Sequence, residues 1–145
     1  MRYDADADTI HALRAATARV ERALGRVLEP FGITPAQFEL LQVIEHYAES
    51  GAGCSELGKH LAVPVPDVTR MLDRLDSALL VSRKRNDKDR RVVHTALTQK
   101  ARQLLHDAAS PVAEVQASVF VGLGAEPREQ LTALLHGVRR NCPGN

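Results

Sequence analysis

The chain has 145 residues, of which 44% are hydrophobic, 26% charged and 3% aromatic, and its formal net charge is +1. This length suits one domain or one compact protomer, and the composition is that of a soluble globular protein rather than a disordered or fibrous one. No segment approaches the roughly 20 apolar residues that span a bilayer, and the acidic N-terminus lacks the apolar core of a signal peptide. With only two cysteines a disulfide scaffold is also excluded, so we expect a cytoplasmic protein.

The charges are unevenly distributed along the chain. Residues 1–53 carry five basic and eight acidic side chains, whereas residues 54–102 carry eleven basic and six acidic ones. Residues 103–145 carry three basic and four acidic side chains. A basic middle segment between acidic flanks predicts that one small region of the protein binds a polyanion.

Two helices are predicted in the N-terminal part. Residues 8–29 place apolar side chains alternately three and four positions apart, which predicts a long amphipathic helix. A second helix is predicted to begin at Thr34, the N-cap, with Pro35 in the first turn and Gln37 completing a capping box. Its buried side is formed by Phe38, Leu41 and Ile44.

The next segment predicts a helix, a tight turn and a second helix. The first, short helix starts after Gly53 and buries Leu57 and Leu61. The second runs from about Pro66 to Ala78, and one apolar stripe defines its inner face. The stripe comprises Val68, Leu72, Leu75 and Leu79. The outer face carries Thr69, Arg70, Asp73 and Arg74, side chains that reach base edges and phosphates in a major groove.

Residues 81–97 predict a hairpin with a charged tip. Asn86 and Asp87 tolerate the conformations of a turn, and the returning segment is rich in strand-forming Val and Thr. Val81–Arg91 contains six basic and two acidic side chains, as expected for a loop that seeks phosphates or a narrow minor groove. The cations at 83–85 could instead keep the hairpin edge soluble. Residues 51–54 could add a third small strand.

The C-terminal third predicts two more helices. Thr98 is a plausible N-cap for the first, and Pro111 is expected to kink or break it. The last helix, residues 126–140, has an apolar face made by Leu131, Leu134, Leu135 and Val138. Together with the first helix, these elements have more apolar surface than the middle unit needs, which favours a dimerisation layer.

The run LDRLDSALLVSRKRNDKDRRVVHTALT resembles the signature of MarR-family winged helix-turn-helix regulators. In that family Asp-Arg-Arg marks the wing tip and Leu-Thr opens the following helix, and the resemblance covers roughly residues 8–140. It implies a homodimer that binds a pseudo-palindromic operator and is released by a small phenolic or lipophilic molecule or by an oxidant. The chain departs from the pattern at three positions. Leu79 and Ala101 stand where the family usually has Gly, and Pro64 where it often has Ser.

The candidate DNA contacts lie on the recognition helix and the wing. Arg70 is the best candidate for reading a guanine, because one guanidinium can bond both O6 and N7. By resemblance, Asp89 orients an arginine through an ion pair, Arg91 enters the minor groove and Arg90 contacts a phosphate. Acidic side chains on the helix would repel phosphates unless they pair with Arg70 or Arg74. The complete set of predicted contacts is Ser55, Asp67, Thr69, Arg70, Arg74, Arg85, Asp89, Arg90 and Arg91.

An effector pocket is implied by the same resemblance, between the helical layer (residues 8–30 and 99–141) and the winged unit (residues 34–98). A phenol or carboxylate needs a cationic or hydrogen-bonding group beside apolar walls. The candidate lining residues are His11, Arg14, His46 and Tyr47. The six histidines show no metal-ligand spacing, and no catalytic or nucleotide-binding motif is present, so we expect neither a metal, a cofactor nor an enzyme.

The sequence therefore predicts an all-α protein with a small β wing. Residues 34–98 are interpreted as the winged helix-turn-helix DNA-binding region, and residues 8–30 and 99–141 as the helical dimerisation region. The predicted function is that of a sequence-specific transcriptional regulator, a repressor, which acts on double-stranded DNA as a homodimer. Two alternatives remain: a redox-responsive regulator using Cys54 or Cys142, and a winged-helix module that binds only proteins.

Overall fold

The structure, a computed structural model, describes residues 4–47, 54–61 and 65–143, and it describes Cys54, Ser55, Val65 and Pro66 by their backbone alone. These parts of the chain form six α-helices and one small antiparallel sheet. The elements are α1 (Ala5–Leu28), α2 (Pro35–Tyr47), α3 (Cys54–Lys59), α4 (Val65–Ser77), β1 (Val81–Arg85), β2 (Val93–Leu97), α5 (Gln99–Val119) and α6 (Ala125–Asn141). The predicted fold class, all-α with a small β wing, is confirmed.

The start of α2 follows the predicted capping box. The hydroxyl of Thr34 accepts a hydrogen bond from the backbone N–H of Gln37 at 3.2 Å, and the side chain of Gln37 accepts one from the N–H of Thr34 at 2.9 Å. The two bonds satisfy backbone donors that a helix start otherwise leaves without partners. Phe38, Leu41 and Ile44 are buried as predicted, and Leu40 is buried as well.

Helix α4 matches the predicted recognition helix within one residue at each end, but Leu79 does not belong to its buried stripe. Val68, Leu72 and Leu75 are buried, whereas Leu79 is 69% exposed and Leu80 is the buried residue instead. The helix has already ended at Ser77, and Leu79 adopts a left-handed conformation with φ of 59°. The chain reversal turns the side chain out to solvent, so the periodic extrapolation to Leu79 was wrong.

The predicted hairpin is present as the strands β1 and β2. Their register pairs Val81 with Leu97 and Arg85 with Val93, and the loop of residues 86–92 forms the tip. Cys54 is the first residue of α3 and not part of a strand, while residues 51–53 of the suggested third strand lie outside the described residues. Pro64 also lies outside them.

Helix α5 begins at the predicted N-cap and continues through Pro111. The side chain of Thr98 accepts a hydrogen bond from the N–H of Ala101, and the helix runs unbroken from Gln99 to Val119. Ala108 and Val112 are both buried, so packing on either side of Pro111 holds the helical path. The predicted break at Pro111 does not occur.

One hydrophobic core joins the winged unit to the long helices. It contains Leu28 from α1, several leucines of α2 and α4, and the first half of α5 up to Val112. Helix α1 packs along α5, and both contact α2. The core therefore crosses the two boundaries, near residues 34 and 98, at which the sequence suggested that the DNA-binding region begins and ends.

Helix α6 buries none of its large apolar residues within the protomer. Leu131, Leu134, Leu135 and Val138 are all exposed, and Leu134 is 68% exposed. The turn before α6 adds Val121, which is 81% exposed. Across the described ranges, no helix combines the length and the apolar character that crossing a membrane requires.

Candidate nucleic-acid interface

The outward face of α4 carries the side chains predicted to read DNA. Because Val68, Leu72 and Leu75 anchor the opposite face in the core, the residues between them are turned to solvent. Thr69, Arg70 and Arg74 are exposed, and so is Asp67 near the helix start. The helix thus presents two guanidinium groups one turn apart on a surface that a major groove can accommodate.

The wing tip is a tight loop held by two Asx turns. The side-chain oxygen of Asn86 accepts a hydrogen bond from the N–H of Lys88 at 2.8 Å, and Asp89 Oδ1 accepts one from the N–H of Arg91 at 3.0 Å. Within the described residues Asp89 forms no ion pair with an arginine, so its carboxylate fixes the backbone of Arg91 rather than the guanidinium. Arg90 and Arg91 are exposed at the tip, and Arg85 is exposed at the end of β1.

The amide of Asn86 also closes the base of the loop. Its Nδ2 lies 3.0 Å from Nε2 of His94, and its backbone N–H donates to the carbonyl of Val92 at 2.8 Å. Since the side-chain oxygen already accepts from Lys88, the amide nitrogen is the atom that faces His94.

Arg83 links the wing to the recognition helix, a contact that the sequence did not reveal. Its guanidinium Nη2 donates to Asp73 Oδ1 at 2.5 Å and to Asp76 Oδ2 at 3.4 Å. Hydrogen bonding with Asp73 raises the pKa of Arg83. An arginine with a raised pKa stays charged in the folded protein throughout the neutral range. Within that range added salt, rather than a change of pH, weakens the ion pair between Arg83 and Asp73. Asp73 is thus paired with a wing residue and not with Arg70 or Arg74.

A signal for this contact exists in the strand pattern. Successive strand residues point to opposite faces, so Arg83 shares a face with Val81, which is buried. The same periodicity turns the neighbouring Lys84 to the other face. The suggestion that Arg83 only keeps the hairpin edge soluble is wrong, because the side chain is half-buried against α4.

The end of the recognition helix is held by the start of α5. The hydroxyl of Thr98 donates to the carbonyl of Leu79 at 2.7 Å, and the ammonium group of Lys100 donates to the carbonyl of Ala78 at 2.9 Å. Carbonyl groups at a helix C-terminus have no partner within the helix. The first turn of α5 supplies those partners, which fixes α4 relative to α5.

Helix α3 supports the recognition helix from the side. Lys59 and Glu56 form an exposed ion pair at 2.9 Å, and this hydrogen bond lowers the pKa of Glu56. Ser55 lies in the first turn of α3. Its side chain is outside the described part of the structure, so the predicted phosphate contact stays a prediction.

The candidate effector residues are only partly brought together. His46 and Tyr47 make an edge-to-face ring contact, and Tyr47 stacks on His60 with centroids 4.4 Å apart. His60 was not among the predicted lining residues, although it follows α3 directly. His11 and Arg14 are exposed on α1.

Two surface cavities are lined by described residues elsewhere. One, of about 520 Å³, lies along α6 and includes Arg128, Glu129 and His136. The other, of about 330 Å³, lies at the corner between α1 and α2. Neither includes the four residues predicted to contact an effector. Among the described residues no group of three or more His, Cys, Asp or Glu side chains is arranged to hold a metal ion.

Comparison with known proteins gives a family match over more than half of the chain. Residues 23–108 match the family described as transcriptional regulator SarA/Rot. The matched region runs from the second half of α1 to the first half of α5 and includes the entire winged unit.

Solved structures similar to this chain include regulators in complex with DNA. A mutant of MarR from Escherichia coli, complexed with operator DNA, is 29% identical with a TM-score of 0.80, and the match covers 94% of this chain and 99% of that one. The transcriptional repressor CouR, bound to a 23-mer DNA duplex, is 31% identical over 88% of this chain and 89% of its own, with a TM-score of 0.76.

A third similar structure is BpsR of Bordetella bronchiseptica, whose DNA binding is regulated by 6-hydroxynicotinic acid. It is 23% identical with a TM-score of 0.83, and the match covers 96% of this chain and 98% of that one. At this identity the likeness concerns the fold. The resemblance to MarR-type regulators that the wing sequence indicated is confirmed by these comparisons.

Proposed function

Because the chain belongs to the SarA/Rot family of transcriptional regulators, a group of MarR-like winged-helix proteins, we propose that it represses transcription as a homodimer bound to a two-fold operator. The carrying observation is the exposure of Arg70 and Arg74 on the outer face of α4 and of Arg90 and Arg91 at the wing tip. The family and the fold are those of regulators rather than enzymes. The protein acts in the compartment that holds the DNA.

The position of each arginine determines which part of the DNA it contacts. Arg70 and Arg74 project from a helix, the element that fits a major groove, and Arg70 reads a guanine edge. Arg91 sits on a narrow loop whose backbone is fixed by Asp89, and it enters the adjacent minor groove. Arg85 and Arg90 contact phosphates, while Thr69, Asp67 and Ser55 complete the contact set.

The homodimer is supported by the apolar residues that α6 leaves exposed. Monomeric soluble proteins rarely keep a contiguous apolar surface of this kind uncovered. A second copy of the chain, related by a two-fold axis, would cover it with the same surface. The regions 8–30 and 99–141 then form the shared layer, and two recognition helices lie about 34 Å apart, one turn of DNA.

Selection of genomic fragments followed by footprinting tests the proposal. The protein should enrich fragments with an inverted repeat, protect both half-sites and keep them in the presence of non-specific competitor. Affinity should fall steeply as salt rises, because each phosphate contact releases counterions. The double variant Arg70→Ala with Arg91→Ala is the negative control. DNA affinity that is indiscriminate, or that does not change with salt, would favour the protein-binding alternative.

A small-molecule effector is the second part of the proposal, and BpsR, regulated by 6-hydroxynicotinic acid, provides the precedent. The stacked rings of Tyr47 and His60, beside His46, offer an aromatic surface with hydrogen-bonding edges for a phenol or an aromatic carboxylate. Such compounds should release the operator from the wild-type protein and not from Tyr47→Ala. The variant His106→Ala, which removes an exposed ring on α5, is the matched control.

A cysteine-based response is the remaining alternative. Cys142 is exposed just after α6, and the side chain of Cys54 lies outside the described part. Replacing both cysteines with Ser should leave operator release by the small molecule intact. Loss of an oxidant response in that variant would assign the switch to a thiol instead.

A further inference from the structure

The ion-paired cluster of Arg83, Asp73 and Asp76 joins the two elements that are proposed to contact DNA. The two carboxylates lie one helical turn apart on α4, and the guanidinium lies on β1. The side chain of Arg83 is 27% exposed, whereas those of Asp73 and Asp76 are 60% and 47% exposed. The arginine is therefore enclosed between helix and strand, and the carboxylates form the outer edge of the cluster.

The position of the cluster gives it control over the angle between helix and wing. Only Ala78–Leu80 connect α4 to β1, and this connection turns through the left-handed Leu79. Arg83 closes the same junction from the side, two strand positions beyond Val81. The junction is thus held at two points, and the paired strands β1 and β2 connect it to the tip.

The cluster also lies next to the proposed base-reading residue. Arg70 precedes Asp73 by three positions, and residues three apart are neighbours on a helix surface. At the other end, Arg83 lies three positions before Asn86, the first residue of the loop, a distance of about 10 Å. A change of angle at the cluster would therefore alter the distance between the side chains that enter the two grooves.

The charges of the cluster also indicate that it positions the helix and the wing rather than binding DNA itself. Two unpaired carboxylates on a helix that faces phosphates would weaken binding to any DNA, and the guanidinium offsets one of the two charges. Both bonds come from Nη2 of Arg83, so this end of the guanidinium is directed at the carboxylates rather than at a phosphate. The two carboxylates of the cluster are exposed to solvent, and ion pairs with exposed carboxylates contribute little to the free energy of unfolding, so stability alone gives no reason for this arrangement.

We propose that Arg83, held by Asp73 and Asp76, is a positioning residue that sets the angle between recognition helix and wing and thereby determines sequence discrimination. The inference rests on the proposed function. The bridge lets Arg70 and Arg91 reach their two grooves together on a matching site. Without the bridge the helix and the wing contact DNA independently, and the protein distinguishes its operator less well from other sequences.

The test compares affinity for operator with affinity for unrelated duplex DNA over a series of salt concentrations. Arg83→Ala should lower the ratio of the two affinities about tenfold and leave the salt slope for operator unchanged. The double variant D73A/D76A should lower the ratio by a similar factor, although it strengthens binding to unrelated DNA by removing two negative charges. The triple variant should resemble either one, because all three break the same bridge.

Two further variants separate position from charge. Arg83→Lys retains the charge and replaces the planar fork with a point charge, so it should recover only part of the ratio. Lys84→Ala removes a cation from the opposite face of the same strand, and it should leave the ratio at the wild-type value. The melting temperature is measured for each variant, and D73A/D76A keeps the test available if Arg83→Ala does not fold.

Each outcome is decisive for the bridge. A salt slope reduced by about 1 in Arg83→Ala, with the ratio unchanged, would make Arg83 a phosphate contact and overturn the proposal. An unchanged ratio in D73A/D76A would also overturn it. If the wild-type protein itself shows no preference for any sequence, the proposed regulatory function fails, which is a different result from failure of the bridge.

Discussion

The winged unit and the terminal helices stabilise their structures in different ways. The winged unit has a buried core, and polar bonds hold its described junctions at Thr34, at Thr98 and at Arg83. Helix α6 and the turn before it instead leave their apolar side chains in solvent. The winged unit packs within a single chain, on a core that it shares with α1 and α5, whereas α6 leaves an apolar face that a second copy would cover. On the proposed function, the first would determine which bases are read and the second how far apart the two recognition helices stand.

The largest expected effect comes from breaking the apolar face of α6. Replacing Leu134 and Leu135 with Glu places two charges where a second copy would pack, so the protein should become monomeric. Operator affinity should then fall by at least about 100-fold, because the second half-site no longer adds to the first. Sedimentation and operator titration measure the two changes. Ala133→Glu, on the opposite face of the same helix, is the control and should remain dimeric.

Removal of the wing-tip guanidinium should be the next largest effect. Arg91→Ala is expected to weaken binding to all sequences by about 1–3 kcal/mol and to reduce the salt slope, while the dimer remains intact. Titration at several salt concentrations measures both quantities. Arg102→Ala is the control: it removes an exposed cation from α5 and so changes the net charge of the protein by the same amount as Arg91→Ala. Equal losses in the two variants would contradict the placement of Arg91 in a minor groove.

Arg70→Ala should change the base preference of the protein more than its overall affinity for DNA. The variant is expected to lose about 1–3 kcal/mol of discrimination at one base pair in each half-site and to bind the other positions as before. A library of single-base operator variants gives the profile. A uniform loss at every position would instead assign Arg70 to the DNA backbone.

Thr98 tests how much the polar junctions contribute to the winged unit. Thr98→Ala removes an N-cap and the donor to the carbonyl of Leu79, so the free energy of unfolding should fall by about 1–2 kcal/mol. Thr98→Ser keeps the hydroxyl and should lose much less. Denaturant titration measures the difference, and two variants of equal stability would show that the hydroxyl is dispensable.

The smallest effect is expected at Leu79, where a gain should be seen. Glycine has no Cβ to strain the left-handed conformation, and the leucine side chain buries little surface. Leu79→Gly should therefore raise the free energy of unfolding by about 0.5–1 kcal/mol. Ala78→Gly, at a neighbouring position that lacks a positive φ, should lower it. A loss in both variants would show that Leu79 is not strained.

Local patterns were sufficient to predict most of the fold. The capping box at Thr34, the buried stripe from Val68 to Leu75 and the N-cap at Thr98 each depend on residues within one or two helical turns of each other. Their physical causes are contained in the sequence segment itself. For the same reason the strands were placed with nearly correct ends.

The errors occurred where tertiary contacts decide the outcome. Helical spacing predicted Leu79 as buried, but the helix ends before it, and hydrogen bonds from Thr98 and Lys100, some twenty residues later, bind the carbonyl groups of the turn that follows. Pro111 was expected to kink or break α5, but no break occurs: the helix runs from Gln99 to Val119, and residues on either side of the proline are buried. Propensity is a weak guide where packing opposes it.

The candidate site could be predicted in its outline and not in its internal contacts. The basic residues of the wing and the outer face of α4 are visible in the sequence because their spacing follows a helix and a hairpin. The pairing of Arg83 with Asp73 joins two elements across a turn, and the stacking of Tyr47 on His60 joins two helices. Such contacts depend on how elements pack, which residue spacing alone does not determine.

Because α5 is attached to the end of the recognition helix, a small tilt of α5 at one end produces a larger displacement at the other. Its 21 residues span about 30 Å, from the carbonyl groups at the end of α4 to the apolar turn beyond Val119. A tilt of about 5° at one end displaces the other by about 2.6 Å over that length. A hydrogen bond to a base edge tolerates only a few tenths of an ångström. On the proposed function, a small adjustment of the interface between two copies would therefore be enough to move the guanidinium of Arg70 away from its base.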